Sequence, residues 1–501
     1  MKKLFMFLTV AAMSASLSAA EMNIYASGLK AGDVDASNKV EINYLLNAPA
    51  TAVTLQLIQN DAVVKEIAIT GEANLTKGAH AVTVDLSVVD AGTYNWAIKA
   101  TAAANEGTEP VLVGTFGDAQ AMGRAVTIDK NPESPFYGNV YTINGKAVGV
   151  YGYDAALNPL FDTIAVAKNG WGTGNSAPCR GRVGEDGLLY LCDWSDSNPN
   201  VRIFNPATPA ADAVDVFGGT ASGSDGIMVN EAGDTINGSI AFCYPVGSGE
   251  NTVLYTSDED YKQGGKLMIY KYAIGEAKTA YTKKPEVGLA VGALTGGAIV
   301  NANVTFLPSK TGGWWVSQHR YSDSKGNPSL IHIAGDTVNY NSAGALANAT
   351  VGYNNQASFD INNEQNILIS STSNTVFSVL VWDVVWTDDV PALTLKYTIP
   401  SGFNNTMLQC AIDEAGNIYG VCAGKPLTVW ALPKADNSCV TPAKKASVLT
   451  VAKGATALED VTGMAPGQKG VFTITGQYLG ESVQNLPAGM YIVNGQKMII
   501  R

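Results

Sequence analysis

The sequence predicts an all-β chain: an N-terminal β-sandwich, then a β-propeller of six blades with seven as the alternative, then a small C-terminal β module. Three observations carry this. Six segments spaced about 50 to 65 residues apart repeat one strand–turn–strand pattern through the middle of the chain. Before it, short runs alternate apolar and polar residues with period two. The 501 residues include 52 Gly, 20 Pro and 21 Tyr, and only 15% are charged against a usual value of about 25%, a composition of many short strands joined by tight turns.

The same composition excludes several functions. A formal net charge of -12 leaves no basic field for a polyanion, so nucleic acid is not an expected partner. Histidine occurs three times, as His80, His319 and His332, too few and too scattered for a site built on several histidines.

Residues 1–20 read as a secretory leader. Met1-Lys2-Lys3 precedes an apolar run from Leu4 to Met13, and Ser18 and Ala20 stand at the small-residue positions before a cleavage point. The run is about half the roughly 20 residues that a membrane span needs, and no later stretch is long enough, so no transmembrane segment is expected. No cysteine follows the small residues, which argues against a lipid anchor. The expected address is exported, either secreted or on the outer cell surface, with the periplasm as the alternative.

Residues 21–117 carry the sandwich. Val40, Ile42 and Tyr44, then Val53, Leu55 and Leu57, then Val82, Val84 and Leu86 alternate with polar residues, and AGTYNWAIKA closes the set. His80 reads as a solvated turn residue. The segments LNAPATAVTLQLIQNDAVVKEI and KGAHAVTVDLSVVDAGTYNWAIKA resemble the immunoglobulin-like module of flagellar hook-cap proteins and of many secreted bacterial enzymes. The resemblance implies a spacer or packing partner.

Residues 118–440 carry the repeats. YGNVYTI, DGLLYLCD, NTVLYTSD, GGWWVSQ, QNILISS and GNIYGVC place Asn139, Leu188, Val253, Gly313, Asn366 and Asn417 in one column, at intervals of 49, 65, 60, 53 and 51 residues. Following runs such as VRIFN, KLMIYKY and LTVWAL supply further strands of each unit. The repeats resemble NHL and lactonase-like propellers more than WD-repeat ones, since no GH…WD signature recurs.

Residues 446–501 carry the terminal module. Asn494-Gly495 between two alternating runs predicts a type I′ hairpin. VFTITGQ, then LPAGMYIV, then an ending at Arg501 resemble the C-terminal sorting tail of the type IX (Por) secretion system, which implies export machinery as a partner. The tail is shorter than that family's domain, and its lysine-rich ending is reduced to Lys497 and Arg501. The tripeptides at 162–164, 234–236 and 336–338 resemble an acceptor pattern for bacterial O-glycosylation.

Chemistry is expected at the loops that enter each innermost strand and those that join the second strand to the third. The first set holds Ser176, Asn301, Asn354 and Asn405, whose amides suit either a polar ligand or the turn itself. The second set holds Trp194, Tyr261, His319, Arg320 and Tyr321, aromatic planes and a guanidinium suited to sugars and carboxylates. Asp193, Asp196, Asn198 and Asn200 form an oxygen-rich run, a weak calcium candidate without the EF-hand spacing. Cys179 and Cys192, and Cys410 and Cys422, flank turns and are candidate disulfides, with buried thiols as the alternative. GxSxG, HExxH, P-loop and dinucleotide motifs are absent, and no cofactor is expected. The reading that follows is a non-catalytic binding protein for a polysaccharide or a surface protein. The alternatives are a propeller enzyme of lyase, lactonase or glycoside hydrolase type, and a structural component of the cell envelope.

Overall fold

The computed structural model describes residues 20–146, 148–161, 171–172, 177–195, 198–209, 211, 213–218, 220–222, 227–229, 235–238, 240–257, 268–281, 286–295, 304–318, 330–342, 356–372, 378–403, 409–452, 470–494 and 496–500. Nearly all regular structure among them is antiparallel strand.

Alternation builds the N-terminal sandwich. In Lys39–Leu46 the even positions Val40, Ile42, Tyr44 and Leu46 are buried, because period two turns every second side chain to one face. This strand lies between Ala26–Ala31 and Gly78–Asp85 in one sheet. The facing sheet runs in the order Ser438–Pro442, Gly92–Thr101, Ala52–Gln59, Ala62–Ile69. Val53, Leu55, Leu57, Ile98 and Trp96 meet the first sheet's residues in one core. His80 is not a turn residue: it stands in Gly78–Asp85, half-buried, with its ring 5.0 Å from that of Tyr44.

Among the described residues, six further sheets, designated A to F, form a ring. Sheet A holds Gly123–Ile128, Val140–Asn144 and Gly149–Tyr153. Sheet B holds Gly181–Val183, Leu189–Asp193, Asn200–Phe204 and Val214–Asp215. Sheet C holds Cys243–Val246, Val253–Ser257, Ile269–Ala273 and Glu286–Leu289. Sheet D holds Val304–Pro308, Trp314–Gln318, Leu330–Ala334 and Thr337–Asn341. Sheet E holds Gln356–Asn362, Ile367–Thr372, Ser378–Thr387 and Val390–Pro400. Sheet F holds Ala411–Ile412, Asn417–Gly420 and Lys425–Ala431, and takes its outer strand, Val111–Gln120, from before sheet A.

The first strand of each sheet packs against the first strand of the next, from A round to F and back to A. This is the architecture of a β-propeller. The inner strand of C packs directly on the first two strands of B, so the small sheet Thr220–Ser222, Ile227–Val229, Thr235–Gly238 is an insertion between them. It accounts for the 65-residue interval from Leu188 to Val253. Apolar residues of neighbouring sheets fill the space between them, as Phe242, Phe306 and Phe359 do for C, D and E.

The domain boundaries differ from those read in the sequence. Val111–Gln120 belongs to the ring and not to the sandwich, pairing Thr115 with Thr428 and Leu112 with Trp430. After Lys425–Ala431 the chain returns to the sandwich, where Ser438–Pro442 and Leu449–Val451 both pair with Gly92–Thr101. The propeller is thus inserted into the sandwich. Such an arrangement ties down both ends of the ring, since the strand before the first sheet completes the last one.

The two units meet through a set of asparagines. Asn23 N–H donates to Asn417 Oδ1 at 2.7 Å, Asn417 Nδ2 donates to Asn23 O at 2.9 Å, and Ile24 N–H donates to Asn437 Oδ1 at 2.9 Å. Buried backbone groups need such partners wherever no neighbouring strand supplies them.

The terminal module is a four-stranded sheet in the order Tyr478–Gly480, Val471–Thr473, Gly489–Val493, Gln496–Ile500. Val493 pairs with Gln496, which leaves a two-residue turn, and Asn494 has the positive φ of 51° that a type I′ turn requires at its first position. Gly495 lies outside the described residues.

Candidate functional site

Two arginines two residues apart on one side of an innermost strand define the channel. Arg180 and Arg182 flank Gly181 in sheet B and are both buried. Arg180 NH1 reaches sheet D, donating to Val304 O at 3.1 Å and Thr305 Oγ1 at 3.2 Å. Arg182 NH2 reaches sheet E, 2.9 Å from Asp360 Oδ1. From sheet F's approach, Gln409 Nε2 donates to Gly181 O at 2.8 Å. These spokes cross the axis. Gly181 is required there, since a Cβ would stand 2.6 Å from Tyr190 O.

Asp360 is the hub. Its Oδ2 lies 2.8 Å from Lys130 Nζ and accepts the Ile412 N–H at 3.0 Å, so one carboxylate binds sheets A, B and F to E. Burial alone would push its carboxyl upward, but Lys130 and Arg182 outweigh this and hold it below the usual carboxylate range. Asp360 is therefore an ionised acceptor, unsuited to proton donation at neutral pH.

Against this hub lies a cavity of about 600 Å3 at the end where the innermost strands leave the ring. Asn131, Glu185, Tyr244, Asn363 and Glu414 line it together with the hub. Burial pushes the Glu414 carboxyl up, partly offset by Lys130. Its Oε2, like Arg182 Nε, is buried without a hydrogen-bond partner among the described residues. Asp129, at the cavity wall, is pushed up to about 6 by burial, although it accepts a hydrogen bond from Ser134 Oγ. Both cations of the site are committed to Asp360. What remains to face a ligand is carboxylate, amide and phenol.

None of the described residues nominated from the sequence lines this cavity. Tyr261, His319, Arg320, Tyr321, Asn301, Asn354, Asn405, Ser176 and Asp196 fall outside the described residues. Trp194 is half-buried just beyond Leu189–Asp193, at the end of the ring opposite the cavity. Asp193, part of the weak calcium candidate, is paired: its Oδ2 lies 2.8 Å from Arg202 NH1 and accepts the Gly172 N–H at 2.7 Å. A carboxylate neutralised by a buried guanidinium is a poor cation ligand. Asn198 N–H donates to Ser195 Oγ at 3.2 Å within a turn, Asn200 Nδ2 donates to Phe217 O, and no metal-binding group of acidic, Cys or His side chains occurs among the described residues.

Of the two alternatives for the cysteines, the described residues favour buried thiols: Cys179, Cys192, Cys410 and Cys422 are all buried and no disulfide is formed among them. Cys192 turns into the core shared by sheets B and C, where it packs with Cys243, while Cys410 and Cys422 share the core between sheets E and F. Buried thiols behave there as small hydrophobic groups.

Lys130, Arg182, Asp360 and Glu414 were not nominated from the sequence, because pairing between different sheets leaves no local pattern. A signal existed in the acidic residues just before several aligned columns, in IDK, FDIN and AIDE.

No family model matches the chain, and no curated protein matches it. Among solved structures it is similar to a structural-genomics protein of unknown function from Bacteroides thetaiotaomicron, at 10% identity over 80% of this chain and 98% of that one, with a TM-score of 0.39. It is similar to a gluconolactonase from Xanthomonas campestris, at 12% identity over 77% of this chain and 97% of that one, with a TM-score of 0.37. It is also similar to the WD40 β-propeller domain of Doa1, at 10% identity over 65% of this chain and 97% of that one, with a TM-score of 0.38.

Proposed function

We propose that this chain is an exported, non-catalytic binding protein, a six-bladed propeller carried on a sandwich, whose ligand is an uncharged stretch of polysaccharide held in the cavity beside Asp360. The observation that carries this is the commitment of Lys130 and Arg182 to one carboxylate. One carboxylate against two cations leaves a single positive charge, which Glu133, Glu185 and Glu414 on the same wall outweigh, so the cavity offers no net positive charge to an anionic ligand. It offers instead the carboxylates, amides and phenol that accept and donate hydrogen bonds to sugar hydroxyls, with the Tyr244 ring as a surface for a sugar face. About 600 Å3 suits a few sugar units.

The leader-like residues 1–20 and the resemblance of the last strands to a type IX sorting tail support export, with surface display or secretion as its result. The exposed side chains Tyr478, Met490 and Ile499 on the terminal sheet give that module an apolar surface of its own.

The test is a neutral-glycan array with the chain beginning at Glu21, followed by calorimetry on the best ligand. Tyr244→Ala and Glu414→Gln are each expected to weaken it about tenfold, the scale of one lost polar or stacking contact. Absence of glycan binding, or unchanged affinity in both variants, overturns the site; appearance of a cleaved product overturns the non-catalytic reading. For export, removal of 470–501 is expected to abolish surface display, and unaltered display refutes the sorting role.

A further inference from the structure

A second cavity, of about 340 Å3, lies on the outer rim where the strand Val111–Gln120 of sheet F approaches the third strand of sheet A. Three aromatic side chains line it: Tyr151 and Tyr153 from Gly149–Tyr153, and Phe161 from the segment that follows. Pro159 completes the apolar wall and pairs with Tyr153 through an isolated bridge. Two glycines keep the space open. A Cβ at Gly117, whose φ is +68°, would overlap the Tyr153 hydroxyl, and one at Gly152 would overlap the Phe161 ring.

One charged side chain lines this cavity, Asp118, and it belongs to no ion pair among the described residues. Its charge reaches both phenols: burial first and then Asp118 push the Tyr151 hydroxyl up, and burial, Tyr151 and Asp118 bring Tyr153 to about 12. Both therefore stay neutral at physiological pH, and the field inside the cavity is negative. Aromatic faces carry negative charge at the ring and attract cations, most strongly where water is displaced. An unpaired carboxylate adds to the same attraction, and the chain's overall charge of -12 favours approach of a cation.

We propose that this rim cavity binds a small organic ammonium ion, its alkylated nitrogen against Tyr151, Tyr153 and Phe161 and its charge balanced by Asp118. The site is separate from the cavity beside Asp360, so its success or failure leaves the saccharide reading standing.

The experiment uses choline and its uncharged isostere 3,3-dimethylbutan-1-ol as probes, titrated calorimetrically into the chain beginning at Glu21. Choline is expected to saturate a single site and to bind about tenfold more tightly than the isostere, the ratio a desolvated cation–π contact supports. Asp118→Asn, at an exposed position, is expected to keep the parent's melting temperature, weaken choline severalfold and narrow its advantage over the isostere without abolishing it, since the rings remain. Tyr151→Ala is expected to weaken choline further, with Tyr151→Phe restoring it. Equal binding of both probes, absence of saturation, or an Asp118→Asn variant that binds choline like the parent overturns the proposal.

Discussion

Arg182 and Asp360 stand on opposite sides of a six-sheet ring, yet their side chains meet at 2.9 Å across its axis. They are 178 residues apart in the chain. The pair closes the channel and floors the proposed ligand cavity, so one contact serves both stability and site shape. Its worth depends on completeness, because a buried charge is tolerated only while it stays paired.

Asp360→Asn removes the partner of the buried Arg182 and the partly buried Lys130 and is expected to destabilise the propeller by about 3–5 kcal/mol. Arg182→Met leaves Asp360 paired with Lys130 and is expected to cost less. Urea denaturation followed by tryptophan fluorescence checks both. Equal midpoints for parent and Asp360→Asn would show that the hub is not a staple.

Stability is expected to be greater near pH 5 than near pH 7.5. Asp129, raised to about 6 in the fold against roughly 3.9 unfolded, binds more protons folded than unfolded between these values. Its contribution is present in full below the lower value and disappears as pH rises through 6, about 2–3 kcal/mol in all, of which about 1–1.5 kcal/mol falls between pH 5 and 7.5. Glu414 acts in the same direction. Asp360, lowered in the fold, contributes above the unfolded carboxylate value and is lost only as pH falls below it. Melting temperature against pH checks this, and Asp129→Asn is expected to flatten the slope between pH 4 and 6.

Asn417→Ala takes away the acceptor of the Asn23 N–H and the donor to Asn23 O, inside a buried junction. A loss of about 1–3 kcal/mol is expected, since a buried amide is left without a partner. Differential scanning calorimetry is the check. The sandwich and propeller transitions are expected to separate further in the variant than in the parent, and coincident unchanged transitions would deny the junction its coupling role.

All six cysteines are expected to titrate with Ellman's reagent after unfolding without reductant, while Cys179, Cys192, Cys243, Cys410 and Cys422 stay unreactive in the native chain. Burial pushes the Cys410 thiol up to about 12 and that of Cys422 to about 11, which removes the reactive thiolate. Two or four thiols in the unfolded chain would reveal disulfides instead.

The ring was legible because its signals are local. Asn139, Leu188, Val253, Gly313, Asn366 and Asn417 each stand at, or one residue before, the second strand of a different ring sheet. Turn geometry made the column visible: Gly138, Gly187, Gly313, Asn366 and Gly416 all have positive φ, which restricts the residue types that fit. The sandwich core at Val40, Ile42, Tyr44, Val53, Leu55 and Leu57 was legible for the same reason, an alternation contained within one strand.

Strand partners were less so. Val111–Gln120 begins within the range read as sandwich and Ser438–Pro442 within the range read as repeats, and each pairs with the other unit. Alternation reports which face of a strand is buried and carries no record of which strand lies beside it.

By itself the sequence determined the all-β class, the repeat register, the sandwich core and the terminal hairpin, since backbone geometry and burial of one face are written within about ten residues. Only the tertiary structure decided that the propeller interrupts the sandwich, that Asp193 pairs with Arg202, that Cys192 packs with Cys243 while Cys410 and Cys422 share another core, and that Lys130, Arg182 and Asp360 converge. Such contacts join residues as much as 230 positions apart, where nothing in the local pattern of either partner encodes the other. Closing the ring brings them together, and the low dielectric inside it makes their pairing obligatory.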